Sequence, residues 1–276
     1  MRRLPAMTDA IRFSVIICSV DPLKFAEASE MYGSLLAAFP HEILGIHDAR
    51  SLTEGYNRGL RQACGEIVIF SHDDILILDP DFACKISARL QDFDILGFVG
   101  ARRLVSEYWW GAGYPWLAGA MACHSGMDIN FSIWGTDSWP VADGIQAIDG
   151  LCIMARQETA REIGFDETVF DGFHLYDLDF SFSAWRAGKK LGVCCDIPVI
   201  HASNGNYGKS HLKYGRRFLA KHQDVLPLSS PRPQSPPKHE GRAALFPDYR
   251  ALLAAWKPEF LLRKSLFRRY ASRHRH

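Results

Sequence analysis

The sequence predicts an α/β protein: a mostly parallel β-sheet flanked by helices, followed by a short C-terminal helical extension. Three observations carry this expectation. The first 70 residues read as strand, helix, strand, helix, strand, the order of right-handed βαβ units on a parallel sheet. The strands are short, β-branched apolar runs without polar alternation, which suits strands buried on both faces. The chain has 276 residues, 47% of them hydrophobic, enough for a core that needs neither disulfides nor a structural metal.

Phe13-Ser-Val-Ile-Ile-Cys18 reads as the first strand, and residues 22–39, ending before Pro40, follow with apolar residues at roughly helical spacing. Glu42 to His47 is the second strand. Ser51-Leu-Thr-Glu54 has the form of a capping box opening a helix that runs to Cys64. Gly65 ends it, and Glu66-Ile-Val-Ile-Phe70 is the third strand. A helix over 82–90 precedes a fourth strand, Asp94 to Val99. Residues 100–145 are rich in Gly and Trp, with little periodicity. The strand pattern resumes over Ile148 to Met154, helices end at Gly164 and Gly188, and the last strand runs from Val193 to Ile200. The domain so defined spans 12–222, after an N-terminal extension of 1–11. Residues 223–245 form a Pro-rich linker, with five prolines between 226 and 242. Residues 246–276 form a basic helical tail, in which 257–276 carries seven Lys or Arg against one Glu.

The net charge is +1, which gives no footprint for nucleic acid or another polyanion. Seven scattered cysteines, with no C-x-x-C pair, point to reduced thiols and a cytoplasmic setting. Met1 to Met7 is too short and too weakly apolar for a signal peptide, and no 18-residue apolar run is present.

In an open parallel sheet, ligands sit beyond the carboxyl ends of the strands. Those ends read Ser19-Val-Asp21, Asp48 and His72-Asp73-Asp74. Two adjacent carboxylates repel one another and lose hydration, and a hard divalent cation relieves both costs. A polar turn whose aspartates cap the next segment would read the same. Asp177 and Asp179, two residues apart on a helix, are separated by about 200° and flank its apolar face on opposite sides. Asp177 is either an N-cap or a carboxylate aimed outward as a general base. His201 ends the last strand, as a metal ligand or as a satisfied structural residue. The aromatics of 108–116 suit either a sugar platform or the core.

Taken in order, these pieces resemble the family 2-like glycosyltransferases of the GT-A fold, a Rossmann-like architecture. The resemblance covers residues 12–212 and rests on Phe13 to Asp21, Asp48 to Ser51, Gly55 to Leu60, Ala63 to Asp74, Ile148 to Arg156, Gly164 to Glu167, Tyr176 to Asp179, and His201. It implies a nucleotide-sugar site at Cys18, Ser19, Val20, Asp48, Asn57 and Asp73. It implies metal ligands Asp74 and His201 for Mn²⁺ or Mg²⁺, and Asp177 as the base of an inverting transfer. Trp109, Trp110, Asp149 and Gly150 would lie on the acceptor side, with the 100–145 segment as a partly mobile lid.

The resemblance further implies a glycan or lipid-linked hydroxyl acceptor, with a UDP-sugar as the favoured donor. His72 stands in place of a first Asp, Tyr176 in place of a Glu, and Val20 in place of an aromatic, which leaves the nucleotide's identity open. Two other readings are a protein of this fold that binds nucleotide sugar or glycan without catalysis, and a sugar nucleotidyltransferase. Cys18 to Pro22 lacks the Gly-rich basic loop that the latter carries. The tail 257–276 reads as a solvated helix or as a patch seating the protein on anionic lipid.

Overall fold

The computed structural model describes residues 11–228, except 126–127, 135–139 and 204–206. The tail 246–276, all but the start of the 223–245 linker, and residues 1–10 of the N-terminal extension lie outside the described residues. Among the described residues, no helix is long and apolar enough to cross a membrane.

The first strand, β1, is Phe13–Cys18, followed by α1 (Pro22–Leu35), β2 (His41–Ile46), α2 (Leu52–Gln62), β3 (Ile67–Ser71), β4 (Ile75–Ile77) and α3 (Phe82–Arg89). Then come β5 (Ile95–Gly97), β6 (Val99–Ala101), a 3-10 turn Trp109–Ala112, β7 (Leu117–Ser125), β8 (Asp128–Trp134), β9 (Val141–Ala142), β10 (Ala147–Ile148) and β11 (Cys152–Arg156). The chain continues through α4 (Gln157–Ile163), α5 (Tyr176–Arg186), β12 (Leu191–Cys194), β13 (Val199–His201) and α6 (Lys209–Lys221).

A seven-stranded sheet has the order β2-β1-β3-β11-β5-β12-β9. The pairings give β1, β2, β3, β5 and β12 one direction, with β11 and β9 reversed. The expected class, α/β with a mostly parallel sheet flanked by helices, is the one observed. The period of two explains the continuous apolar runs. Phe13, Val15, Ile17, Ile67 and Ile69 pack on one face, with Tyr32 of α1 and Phe82 of α3. Ile16, Val68 and Phe70 pack on the other, with Tyr56 of α2 and Phe180 of α5.

Five expectations change. The fourth strand is two, β5 and β6, which part at Phe98 and join different sheets. The strand expected over 148–154 is broken at Asp149-Gly-Leu151 into β10 and β11, and the last strand is broken at Cys195 to Pro198 into β12 and β13. Residues 100–145 are far from aperiodic: β7 and β8 form a hairpin in a second sheet, of order β10-β6-β7-β13-β4 with β8 beside β7. Small residues dominate β7 (Leu-Ala-Gly-Ala-Met-Ala-Cys), so neither polarity nor bulk alternates to mark it as a strand. Ser51 caps α2 as expected, accepting from the Glu54 N–H, but Glu54 reaches back to the Arg50 N–H, one residue before its capping-box place.

Candidate active site

Parallel pairing sets Cys18 beside Ile46 and Ile17 beside Ser71, so the turns after β1, β2 and β3 share one edge of the sheet. Ser19 Oγ donates to Asp73 Oδ2 at 2.6 Å, and His47 Nδ1 donates to the Ser19 carbonyl at 2.9 Å. These bonds shape the first turn while Val20 stands out, 85% exposed. Cys18 packs its sulfur toward α2 at Gly55, and burial pushes its thiol up to about 12. Asp48 is exposed and paired with Arg58 at 2.8 Å, which holds its carboxyl below the ordinary value. Asn57 is turned elsewhere: its amide donates to the Phe165 carbonyl (2.8 Å) and to Glu167 (2.7 Å), and accepts from the Phe165 N–H (3.0 Å). The structure therefore brings Cys18, Ser19, Val20, Asp48 and Asp73 to one edge and gives the Asn57 side chain to the loop after α4.

Beyond β3 the chain bends at Asp73 and Asp74 before entering β4. Asp73 turns to Ser19, while His72 and Asp74 turn to His201. Antiparallel pairing of β13 with β4 sets His201 opposite Ile75, and the Ala202 N–H bonds the Asp74 carbonyl at 2.9 Å. His201 Nε2 lies 3.3 Å from Asp74 Oδ1 and 3.3 Å from His72 Nδ1, with the Ser203 hydroxyl at 3.0 Å. One ligand atom from each of His72, Asp74 and His201 lies within 4.8 Å of the others. Burial alone would raise the Asp74 carboxyl, but His201 and His72 hold it far below the usual range. Burial alone would lower the His201 imidazolium, and the Asp74 carboxylate outweighs it, so His201 is raised. His72 is lowered by burial and by His201. One carboxylate with two imidazoles, all partly or fully dehydrated, is a donor set that fits a divalent cation.

The break between β10 and β11 builds the facing wall. Asp149 accepts from the Leu151 N–H at 3.0 Å and from Trp109 Nε1 at 2.9 Å. Trp109 is thus buried as a support for Asp149, and it lines the cleft together with the half-buried Trp110, which is edge-on to Tyr207 at 5.0 Å. Asp177 accepts from the Gly150 N–H at 2.8 Å. Burial, then the nearby Asp149 charge, raises the Asp177 carboxyl to about 7. Asp177 is not the N-cap of α5: that position is Leu175, in the left-handed region at φ 63° and without a side-chain cap bond. Asp179 points the opposite way, as its spacing predicts, into Lys221 (2.8 Å) and His222 (2.9 Å).

His72, His201, Asp149 and Asp177 line one cavity of about 220 Å³. His174 and His211, which the sequence did not single out, line it too, and nothing in their local sequence marks them. Tyr176 was also missed in a site role; its hydroxyl lies 2.7 Å from His72 Nε2. His72 did carry a signal, its place beside Asp73 and Asp74 at the carboxyl end of β3.

No curated protein sequence matches the chain. Among solved structures it is similar to the mannosyltransferase PcManGT from Pyrobaculum calidifontis in complex with GDP-Man and Mn²⁺, at 16% identity and TM-score 0.48, covering 91% of this chain and 76% of that one. It is also similar to GalNAc-T7 with UDP, GalNAc and Mn²⁺, at 12% identity and TM-score 0.46, covering 77% of this chain and 48% of that one. A third is S. aureus TarS 1–349 in complex with UDP-GlcNAc, at 13% identity and TM-score 0.43, covering 71% and 60%. Residues 14–222, more than half of the chain, match the family described as glycosyltransferase like, and the chain belongs to that family.

Proposed function

We propose that this protein moves a sugar from a nucleotide-sugar donor to a hydroxyl acceptor by a single inverting displacement, with Asp177 as general base. The observation that carries the reading is Asp177 itself. It is a largely buried carboxyl raised to about 7, in the wall of the cavity that His72 and His201 also line. A base with that affinity for protons is half-ionised near neutrality, where it can take a proton from a hydroxyl and hold it.

The donor's nucleotide lies along the carboxyl ends of β1, β2 and β3, where Ser19, Val20, Asp48 and Asp73 stand, and a uridine nucleotide is the first to test. Asp74 and His201 would hold a divalent cation, Mn²⁺ or Mg²⁺. When bound, the cation supplies charge neutralisation for the departing nucleoside diphosphate. Gly150 orients Asp177 through its N–H. Asp149, fixed by Trp109, raises the proton affinity of Asp177. Trp110 offers a face to a sugar ring, and the apolar wall around it limits water in the cleft. The acceptor is a glycan or lipid-linked saccharide hydroxyl, and the basic segment 257–276 gives the protein a means to reach acceptors at an anionic membrane face.

The test is to incubate the protein with a panel of nucleotide sugars, saccharide acceptors and Mn²⁺, and to read the anomeric configuration of the product by NMR. Transfer with inversion, abolished in Asp177→Asn, is the expected result. Retention, or full transfer by Asp177→Asn, would overturn it.

A further inference from the structure

Tyr176 lies between the His72-Asp74-His201 cluster and the start of α5. Its hydroxyl is 3.1 Å from the Gly150 carbonyl and 2.7 Å from His72 Nε2. A phenol has one proton, and a carbonyl can only accept. With that proton on the Gly150 carbonyl, His72 Nε2 must be the N–H that donates to the phenol oxygen. A neutral imidazole then keeps its lone pair on Nδ1. Nδ1 is the atom that faces His201 Nε2 at 3.3 Å and Asp74 Oδ1 at 3.9 Å.

Tyr176 has little freedom to change this. It is buried, with the rings of Tyr56 and Phe165 at 5.6 and 6.3 Å, and it sits in the first turn of α5 behind the left-handed Leu175. A histidine whose outer nitrogen is held by a fixed partner has its inner nitrogen oriented for a metal, and such partners set ligand affinity. Asp73, the alternative neighbour in sequence, is committed to Ser19 at 2.6 Å.

Resting on the metal-assisted reading above, we propose that His72 is a third protein ligand of the cation through Nδ1, with Tyr176 as its positioning residue. The resulting set of two imidazoles and one carboxylate takes first-row transition ions in preference to Mg²⁺. Imidazole suits borderline ions, whose affinities climb from Mn²⁺ through Co²⁺, whereas Mg²⁺ favours oxygen donors and retains its waters.

The test uses the full chain, stripped with a chelator and titrated calorimetrically with Mg²⁺, Mn²⁺, Co²⁺ and Zn²⁺. The Co²⁺ visible spectrum and the nitrogen couplings in the Mn²⁺ electron spin-echo signal are recorded alongside. Co²⁺ and Zn²⁺ should bind more tightly than Mn²⁺, Mg²⁺ should bind at least about tenfold more weakly than Mn²⁺, and two imidazole nitrogens should couple to Mn²⁺. Tyr176→Phe keeps the ring and should weaken Co²⁺ binding about 10–100-fold and shift its spectrum, read at a temperature where the metal-free variant is fully folded. His72→Ala should remove one nitrogen coupling; if that variant does not fold, the wild-type coupling count and Tyr176→Phe decide. A single coupled nitrogen, equal affinity for Mg²⁺ and Mn²⁺, or a Tyr176→Phe spectrum identical to wild type would overturn the proposal. If wild type binds no divalent ion at all, the metal-assisted reading fails as well, which separates the two.

Discussion

The Gly150 N–H donates to Asp177 Oδ2 at 2.8 Å, tying the turn between β10 and β11 to the first turn of α5. The two chains approach so closely that a Cβ at position 150 would overlap the Tyr176 hydroxyl and lie 2.7 Å from the Asp177 Cβ. The conflict is with a buried ring and with atoms at the base of a helix, neither of which can swing away. Gly150→Ala should therefore displace α5 from the cleft, costing about 1–3 kcal/mol of stability, as overpacking does. Sugar transfer should fall far more than the melting temperature. Full activity in a folded Gly150→Ala protein would show that the spacing between turn and helix does not matter.

Asp177 makes the pH dependence specific. Its carboxyl is raised by burial and by Asp149 from 3.8 to about 7, so transfer should rise with pH and level off above about 7. Asp149→Asn removes the like charge and should move that limb to lower pH. The sign for stability is the opposite of the usual carboxylate case. Between 3.8 and about 7 the folded protein binds more protons than the unfolded chain, so this group's contribution falls as pH rises through that window. Asp177→Asn keeps an acceptor for Gly150 and loses the charge. It should cost about 10²–10⁴-fold in transfer. Its melting temperature relative to wild type should be more favourable at pH 8 than at pH 5, as measured by calorimetry in both buffers.

The sequence made β1, β2 and β3 legible because each carries a dense apolar, β-branched run, and it made the carboxyl-end turns legible because polar residues follow those runs closely. It placed Asp177 and Asp179 on opposite sides of α5 by spacing alone, and the structure agrees. The second sheet was not legible, because β7 is built from small residues and β5–β6 and β10–β11 are continuous in sequence where the backbone breaks. Roles that depend on contacts across the chain were also hidden. Trp109 supports Asp149 from 40 residues away, and Tyr176 meets His72 from 104 away, through hydrogen bonds that no local pattern encodes.

Asn57 separates a contact with ligand from a contact with the fold. Three hydrogen bonds join its amide to Phe165 and Glu167, holding α2 to the loop after α4. Asn57→Ala would leave the Phe165 N–H and carbonyl without partners, a loss of about 1–3 kcal/mol. The urea midpoint should drop, while the affinity for nucleoside diphosphate, read at a denaturant-free temperature well below melting, should stay within about twofold, well short of a tenfold or 1.4 kcal/mol change. A large affinity loss with an unchanged midpoint would return Asn57 to the nucleotide site.

Asp179 should behave as the inverse of Asp177, though only Leu178 lies between them. It is 2% exposed, bonded to His222 Nε2 at 2.9 Å and Lys221 Nζ at 2.8 Å, so it fastens the C-terminal end of α6 to α5. Lys221 retains Asp166 as a partner at 2.8 Å when Asp179 is removed, which leaves His222 to bear most of the loss. The Arg186 guanidinium donates to His222 Nδ1, so Nε2 carries the N–H, and leaving that buried donor without its acceptor costs about 1–3 kcal/mol. Asp179→Ala should thus unfold at markedly lower urea than wild type, and any loss of transfer should track the fraction unfolded. Asp177→Asn should lose transfer with its midpoint intact. Measured side by side, the two variants assign one carboxylate to chemistry and the other to packing, and the same signature for both would contradict the opposed orientation of these side chains.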